Sequence, residues 1–311
     1  MGSKLNHSNT VSAPCKVHLL GEHSVVYGKP AILTSVNLRV YVTISKGSSA
    51  AHPLKKIIEP IIKKHLKIKT LPPYQITISS EAPIGSGLGS SAAISSSYIA
   101  ALLTFLKVNW DLNLINKLAY EAEKTFQGNP SGGDNATVVY GGLIWFRKES
   151  EDLKIIHPLP FTIPTKLAKN FIFIDTGRLK EITAEMVKKV KNLYLRKPKV
   201  VEKFLGNQER LVKELLPVMK DGDEKEFIRI IRQGERNLET IGVCSKEVTS
   251  IIRNIEQSGG AAKICGAGSD SGPTGVLLCY HKNPLVIQNI AKSLNLSYFK
   301  THLGVEGLRK E

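Results

Sequence analysis

The feature that most restricts the fold of this chain is a run of glycine and serine wedged between a strand and an apolar helix. Residues 74–80, "YQITISS", have the β-branched alternation of a strand, and the block that opens on Ala92-Ala93-Ile94 has the composition of a helix. Between them stands "EAPIGSGLGSS", residues 81–91. A flexible linker would not give way so abruptly to Ala-Ala-Ile. A strand, then Gly85-Ser86-Gly87-Leu88-Gly89-Ser90-Ser91, then a helix is a recipe for gripping phosphate. Glycines let the backbone approach, and the first-turn amides point at the anion with the positive end of the helix dipole behind them. Ser90 and Ser91 are expected to cap that helix, and either hydroxyl could face a phosphate-bound magnesium ion. The turn fails the Walker pattern, because no Lys-Ser or Lys-Thr follows the last glycine. It also fails the dinucleotide pattern, since Ser90 stands where the third glycine should be. Taken alone, an ordinary strand-to-helix loop explains it about as well.

The 311 residues suit two domains better than one. A charged, proline-bearing stretch, "KESEDLKIIHPLPFTIPTKLAKN", places the boundary, giving domains at 1–165 and 166–311. Strands are expected at 12–20, 37–45 and 74–80, and "GEHSVVYGKPAI" is a shaped loop between the first two. Leu54, Ile57, Ile58, Ile61, Ile62 and Leu66 recur at helical spacing, with Pro60 predicting a kink or break. Helices follow at 90–107 and 111–127, the second with Asp111 as N-cap. "ATVVYGGLIWFR" (Ala136–Arg147) reads as a hairpin turning on Gly141-Gly142. In the second half "FIFIDTG" is a buried strand, 181–258 is largely amphipathic helix, and "AAKICGAG" and "TGVLLCY" are strands around a glycine loop. A helix at 284–293 and the strand "LSYFKTH" finish the chain. Strands and helices mixed without strict alternation make the fold class α+β, with two domains meeting at a cleft.

The formal charge of +16 raises the question of an anionic partner. The lysines are scattered, and an aromatic content of 6% is poor for base stacking, so no nucleic acid is expected and the charge reads as a solvated surface. No apolar run is long enough to span a bilayer, so no membrane partner is expected. "MGSKLNHSNT" lacks an apolar signal core, which leads to a cytoplasmic expectation. Cys15, Cys244, Cys265 and Cys279 form no CxxC pair and read as reduced thiols.

Two further segments change the weight of the glycine turn. "APCKVHLLGEHSVVYGKPAI" (Ala13–Ile32) brings Lys16, Glu22 and His23 to a strand end and its loop. "EAEKTFQGNPSGGDNATVVYGG" (Glu121–Gly142) brings Glu123 near a helix end and Asp134 into a tight turn. Separately, Lys16 could be a snorkelling strand lysine, Glu123 a solvent-facing helix residue and Asp134 a turn former. Three such segments in one chain are harder to dismiss.

"KVHLLGEHSVVYGKPAI", "PIGSGLGSSAA" and "GNPSGGDNATVVYGG", in this order and at this separation, resemble the motifs of the galactokinase, homoserine kinase, mevalonate kinase and phosphomevalonate kinase (GHMP) superfamily, its mevalonate kinase branch most of all. The resemblance implies a two-domain α+β architecture, a ribosomal protein S5 domain 2-like N-terminal domain followed by a ferredoxin-like C-terminal one. It implies ATP-dependent phosphorylation of the C5 hydroxyl of mevalonate in isoprenoid biosynthesis, with ATP and Mg2+ as cofactors. Pro83, Ile84, Gly85, Ser86, Gly87, Leu88, Gly89, Ser90 and Ser91 would wrap the triphosphate, joined by Gly266 and Gly268 of a third motif. Ser91 and Glu123 would hold magnesium, which favours few protein oxygens plus phosphates. Asp134 would take the proton of the acceptor hydroxyl, and Lys16 would pair with it and keep it ionised.

Glu22 and His23 would lie at the polar end of the substrate, and Ser24-Val25-Val26-Tyr27 offers apolar contact where galactokinase-like members grip sugar hydroxyls. Thr183 aligns with a substrate-loop threonine, and capping the start of a helix is its other reading. A phosphomevalonate kinase or another GHMP small-molecule kinase is the alternative. A silent ligand sensor on the same scaffold is opposed by the intact Lys16, Glu123 and Asp134. A homodimer is open to a kinase of this kind. The third motif, "KICGAGSDSGPTGVLL", departs from the family pattern by carrying Asp270 and Pro273, and Asp270 would repel phosphates unless it faces away or meets magnesium. Cys15, beside Lys16, is a packing residue whose thiol could be alkylation-sensitive, and Gly133 would loosen the backbone next to Asp134.

Overall fold

A computed structural model of the chain describes residues 9–48, 52–83, 85–127, 130–179, 181 and 183–311, the side chains of 126 and 127 aside. The chain opens with β1 (Asn9–Leu20), a one-turn 3₁₀ segment at Ser24–Tyr27 and the long β2 (Ala31–Lys46). These are followed by α1 (Lys55–Leu66), β3 (Tyr74–Ser80), α2 (Ser90–Phe105) and α3 (Leu112–Gln127). Then come α4 (Gly133–Tyr140), β4 (Leu143–Lys148), β5 (Lys154–Pro158) and the short α5 (Thr165–Ala168). The second half runs β6 (Phe171–Asp175), α6 (Thr183–Arg196), α7 (Pro198–Asp221), α8 (Glu224–Thr240) and α9 (Lys246–Gln257). It ends with β7 (Ala261–Ile264), β8 (Val276–Tyr280), α10 (Pro284–Ser293), β9 (Ser297–Phe299) and β10 (Arg309–Lys310).

Two sheets result. The first has the order β10-β1-β2-β4-β5, with β3 lying along the far half of β2. α2 packs on β1 and β2, and its buried residues run without a break from Ser95 to Leu103. A helix apolar on every side belongs in a core, and this one stands behind the glycine turn as a fixed base. The second sheet has the order β7-β8-β6-β9, antiparallel throughout. With β6 central and flanked by β8 and β9, this is the ferredoxin-like order, with the four helices α6–α9 between β6 and β7. Residues 302–311 cross back to the first sheet, where β10 pairs with β1 and buried Arg39 donates to the carbonyls of Glu306 and Gly307.

Asp111 caps α3 as expected, its carboxylate accepting from the Leu114 N–H at 2.7 Å. Of the kink or break expected at Pro60, the break is absent: α1 continues through it, with Ile58 and Ile62 on either side fully buried. A second expectation fails outright. Ala136–Arg147 is not a hairpin: its first part completes α4, and β4 pairs with β2 and β5 instead. Thr137, Val138 and Val139 have the composition of a strand, but all three are buried in a helix, where packing overrides propensity.

Candidate active site

Lys16 lies on β1 between two irregularities in its pairing with β2, at Pro14/Cys15 and at His18/Leu20. Such bulges re-aim side chains, and here they turn the end of the strand toward the glycine turn. The Lys16 N–H donates to the Leu88 carbonyl at 2.8 Å, pinning strand to turn. Gly89 precedes α2 with φ of 70°, and a β-carbon on it would stand 2.6 Å from Lys16 Cε. The absence of a side chain there is what lets the lysine pass.

The nearly buried Lys16 ammonium reaches Asp134 Oδ1 at 3.0 Å. Asp134 sits in the first turn of α4, a quarter exposed, where a helix N-terminus favours a carboxylate. Glu123, on α3, is 1% exposed, so the solvent-facing reading of this residue does not hold. The Ser91 hydroxyl donates to Glu123 Oε2 at 3.4 Å. Neither Ser90 nor Ser91 caps α2, contrary to expectation: Gly89 occupies the cap position, and the two serines are the first two residues of the helix.

Glu22 and His23 follow β1. The Glu22 carboxylate is buried against the equally buried Lys263 ammonium of β7. Lys263 also donates to the carbonyls of His18, at 3.1 Å, and Ile264. His23 adopts φ of 57°, uncommon for a residue with a side chain, and its Nε2 lies 2.9 Å from the Ala267 carbonyl. Burial lowers its imidazole to about 4, so the ring is neutral. Nε2–H therefore donates to Ala267, leaving Nδ1 as an acceptor.

These groups line one cleft of about 370 Å³ between the two sheets. It gathers Lys16, Glu22, His23, Gly85, Gly87, Gly89, Ser90, Ser91, Glu123, Asp134, Thr183 and Gly266, while Val25, Val26, Leu179 and Val187 supply apolar wall. Thr183 is the first residue of α6 and is exposed. Pro83, Ser86, Leu88 and Gly268 are not in the lining. Ser86 and Leu88 are buried and brace the turn through their carbonyls, which accept from the N–H groups of Val276 and Lys16. Gly268 packs on the Val243 carbonyl. Ile84 lies outside the described residues.

Sequence reasoning missed His18, Arg178 and Glu181, which also face the cleft. It missed Lys263 too, although a lone lysine inside "AAKI" of a buried strand demands an acidic partner. Asp270 pairs with Lys189 and stays out of the cleft; its carboxyl is lowered, chiefly by the hydrogen bond to Lys189. Cys15 is fully buried and burial pushes its thiol up to about 12, which corrects the expectation of alkylation sensitivity. Among the described residues no three His, Cys, Asp or Glu side chains gather as a metal cluster.

The GHMP kinases N terminal domain matches residues 53–142. The mevalonate kinase of Archaeoglobus fulgidus is 33% identical over 268 residues, covering 83% of this chain and 88% of that protein. The crystal structure of L. major mevalonate kinase in complex with R-mevalonate superposes with a TM-score of 0.79 at 21% identity, over 99% of this chain and 100% of that one. The Methanococcus jannaschii mevalonate kinase structure does so with a TM-score of 0.78 at 22% identity, over 96% and 99%.

Proposed function

The chain belongs to the mevalonate kinase family, and from that premise we propose that Asp134 and Lys16 carry out the transfer, within a cleft whose residues divide between nucleotide and acceptor. The protein is an ATP-dependent kinase with an alcohol acceptor, and it phosphorylates mevalonate. The observation that carries the site assignment is the 3.0 Å contact between Asp134 and Lys16 beside the glycine turn. Asp134 accepts the proton of the C5 hydroxyl as its oxygen attacks the terminal phosphorus. The bond from that phosphorus to the β,γ-bridging oxygen breaks, giving 5-phosphomevalonate and ADP. Lys16 offsets negative charge at the transferring group, the term that dominates phosphoryl transfer.

Gly85 to Ser91 cradle the triphosphate, with the first-turn amides of α2 behind it. Magnesium fits the Ser91 hydroxyl and the buried Glu123 carboxylate, hard oxygen donors on the same wall. Few protein oxygens suit an ion that would be held largely by phosphate and water. Bound there, the ion would neutralise phosphate charge. Val25 and Val26 face the carbon skeleton of mevalonate, while Glu22, His23 and Thr183 take its polar end. The presence of two separate sheets supports a division into two domains near residue 165, with 302–311 returning to the first sheet. The test offers mevalonate, phosphomevalonate, homoserine and galactose with Mg-ATP and follows each by mass spectrometry. Mevalonate alone should be consumed, and preference for phosphomevalonate would overturn the substrate assignment.

A further inference from the structure

We propose that His18 is a positioning residue for the transfer, its uncharged imidazole holding the Lys16 ammonium against Asp134. This rests on the roles given to Lys16 and Asp134 above. Residues two apart on a strand share a face, and Lys16 and His18 do so near the end of β1. His18 Nδ1 stands 3.3 Å from Lys16 Nζ, within the buried part of the site. An ammonium has donors only, so Nδ1 is the acceptor and the ring proton sits on Nε2. The same ammonium makes the 3.0 Å contact with Asp134. Lys16 thus holds two acceptors at once, one charged and one neutral.

The neutrality of the ring follows from where it stands. His18 is 7% exposed, and its own carbonyl accepts from the Lys263 ammonium at 3.1 Å. A protonated imidazole would be a third cation between Lys16 and Lys263. Burial first, then these two ammonium groups, hold it well below the usual imidazole range. A carboxylate in its place would compete with Asp134 for the lysine, and an apolar side chain would leave the ammonium one acceptor short. A lysine stem is long and flexible, and the second acceptor restricts its swing away from Asp134. Loss of that restraint should fall on the chemical step, because the contact of the His18 ring is with the Lys16 ammonium, which acts on the transferring group.

The experiment compares His18→Asn, which carries an acceptor near the place of Nδ1, with His18→Gln, which reaches toward Nε2, and with His18→Leu. His18→Gln and His18→Leu should lower kcat about tenfold with both KM values within about twofold, the size of one hydrogen bond to a charged group. His18→Asn should stay within about threefold of the unmodified enzyme. Added to Lys16→Met, His18→Leu should cause no further loss, since a residue acting through Lys16 has nothing left to act on. Equal losses in Asn and Gln, or a His18→Leu loss that multiplies in the Lys16→Met background, would overturn the proposal. Where His18→Leu does not fold, the Asn–Gln comparison decides. Full turnover in Lys16→Met would remove Lys16 from the reaction and this inference with it. Lost turnover there beside silent His18 variants would sink the inference alone.

Discussion

At the scale of single residues, Asp134 is the group on which turnover should depend most. Its carboxylate is held by one ammonium and still opens to the cleft, so an amide can replace its shape without replacing its basicity. Asp134→Asn should lower kcat by roughly 10²–10⁴-fold, the range for a lost general base, while KM for ATP moves little. A coupled assay for ADP release reads this directly, and wild-type turnover in the variant would take the proton-accepting role away from Asp134. Lys16, Glu123 and Asp134 were legible in the sequence because each sits in a short segment dense in glycine or acid/base residues. His18 and Lys263 were not. Each belongs to a strand whose alternation is read for packing; the partner of Lys263 is Glu22, 241 residues away, and His18 meets Lys16 two residues off only because both side chains share the cleft face of β1.

At the scale of elements, Gly141 and Gly142 close α4 and turn the chain into β4 with φ of 73° and 69°. Both have positive φ, but Gly141, with ψ of −173°, lies in a backbone region essentially confined to glycine, and their surroundings differ too. A β-carbon on Gly141 would lie 2.2 Å from the Gly307 N, whereas one on Gly142 would meet nothing within 4 Å. Gly142→Ala should therefore cost only the left-handed penalty, about 1–2 kcal/mol. Gly141→Ala must also push away the returning C-terminal segment and should cost about 3 kcal/mol or more, in the range reserved for strain with overpacking. Urea denaturation of the two variants checks this, and equal losses would mean that the contact between residues 141 and 307 carries no weight. The same pair explains why a hairpin was expected here. Two glycines after a β-branched run look like a tight turn, and only the burial of Val138 and Val139 beneath the first sheet makes that run a helix. The amphipathic helices of the second half and the strand leading into the glycine turn needed no such context, so they were legible from periodicity alone.

At the scale of the whole molecule, the cleft is stitched across the two sheets by His23 to Ala267 and by Glu22 to Lys263. Burial of ionisable groups at this seam makes stability depend on pH in two opposed ways. His23 sits at about 4 in the folded protein against 6.5 in an exposed chain. Between those values the unfolded chain holds the extra proton, so acidification through that window removes about 3 kcal/mol. His18, also lowered, acts in the same direction. Glu235 of α8 is fully buried, accepts the Ile264 N–H at 3.1 Å, and is pushed up to about 7 by burial from a usual 4.5. Here the folded protein keeps a proton that the unfolded chain has released, so acidification from pH 7 to 4.5 restores about 3 kcal/mol. The two slopes largely offset each other across their shared window. Glu235→Gln keeps an acceptor for Ile264 and removes one slope. The variant should lose stability more steeply than the unmodified protein between pH 7 and 4.5, measured as urea midpoints along a pH series. Parallel curves for the two proteins would mean that Glu235 is already ionised in the folded state at the acid end of the window, with Lys263 as its counter-charge.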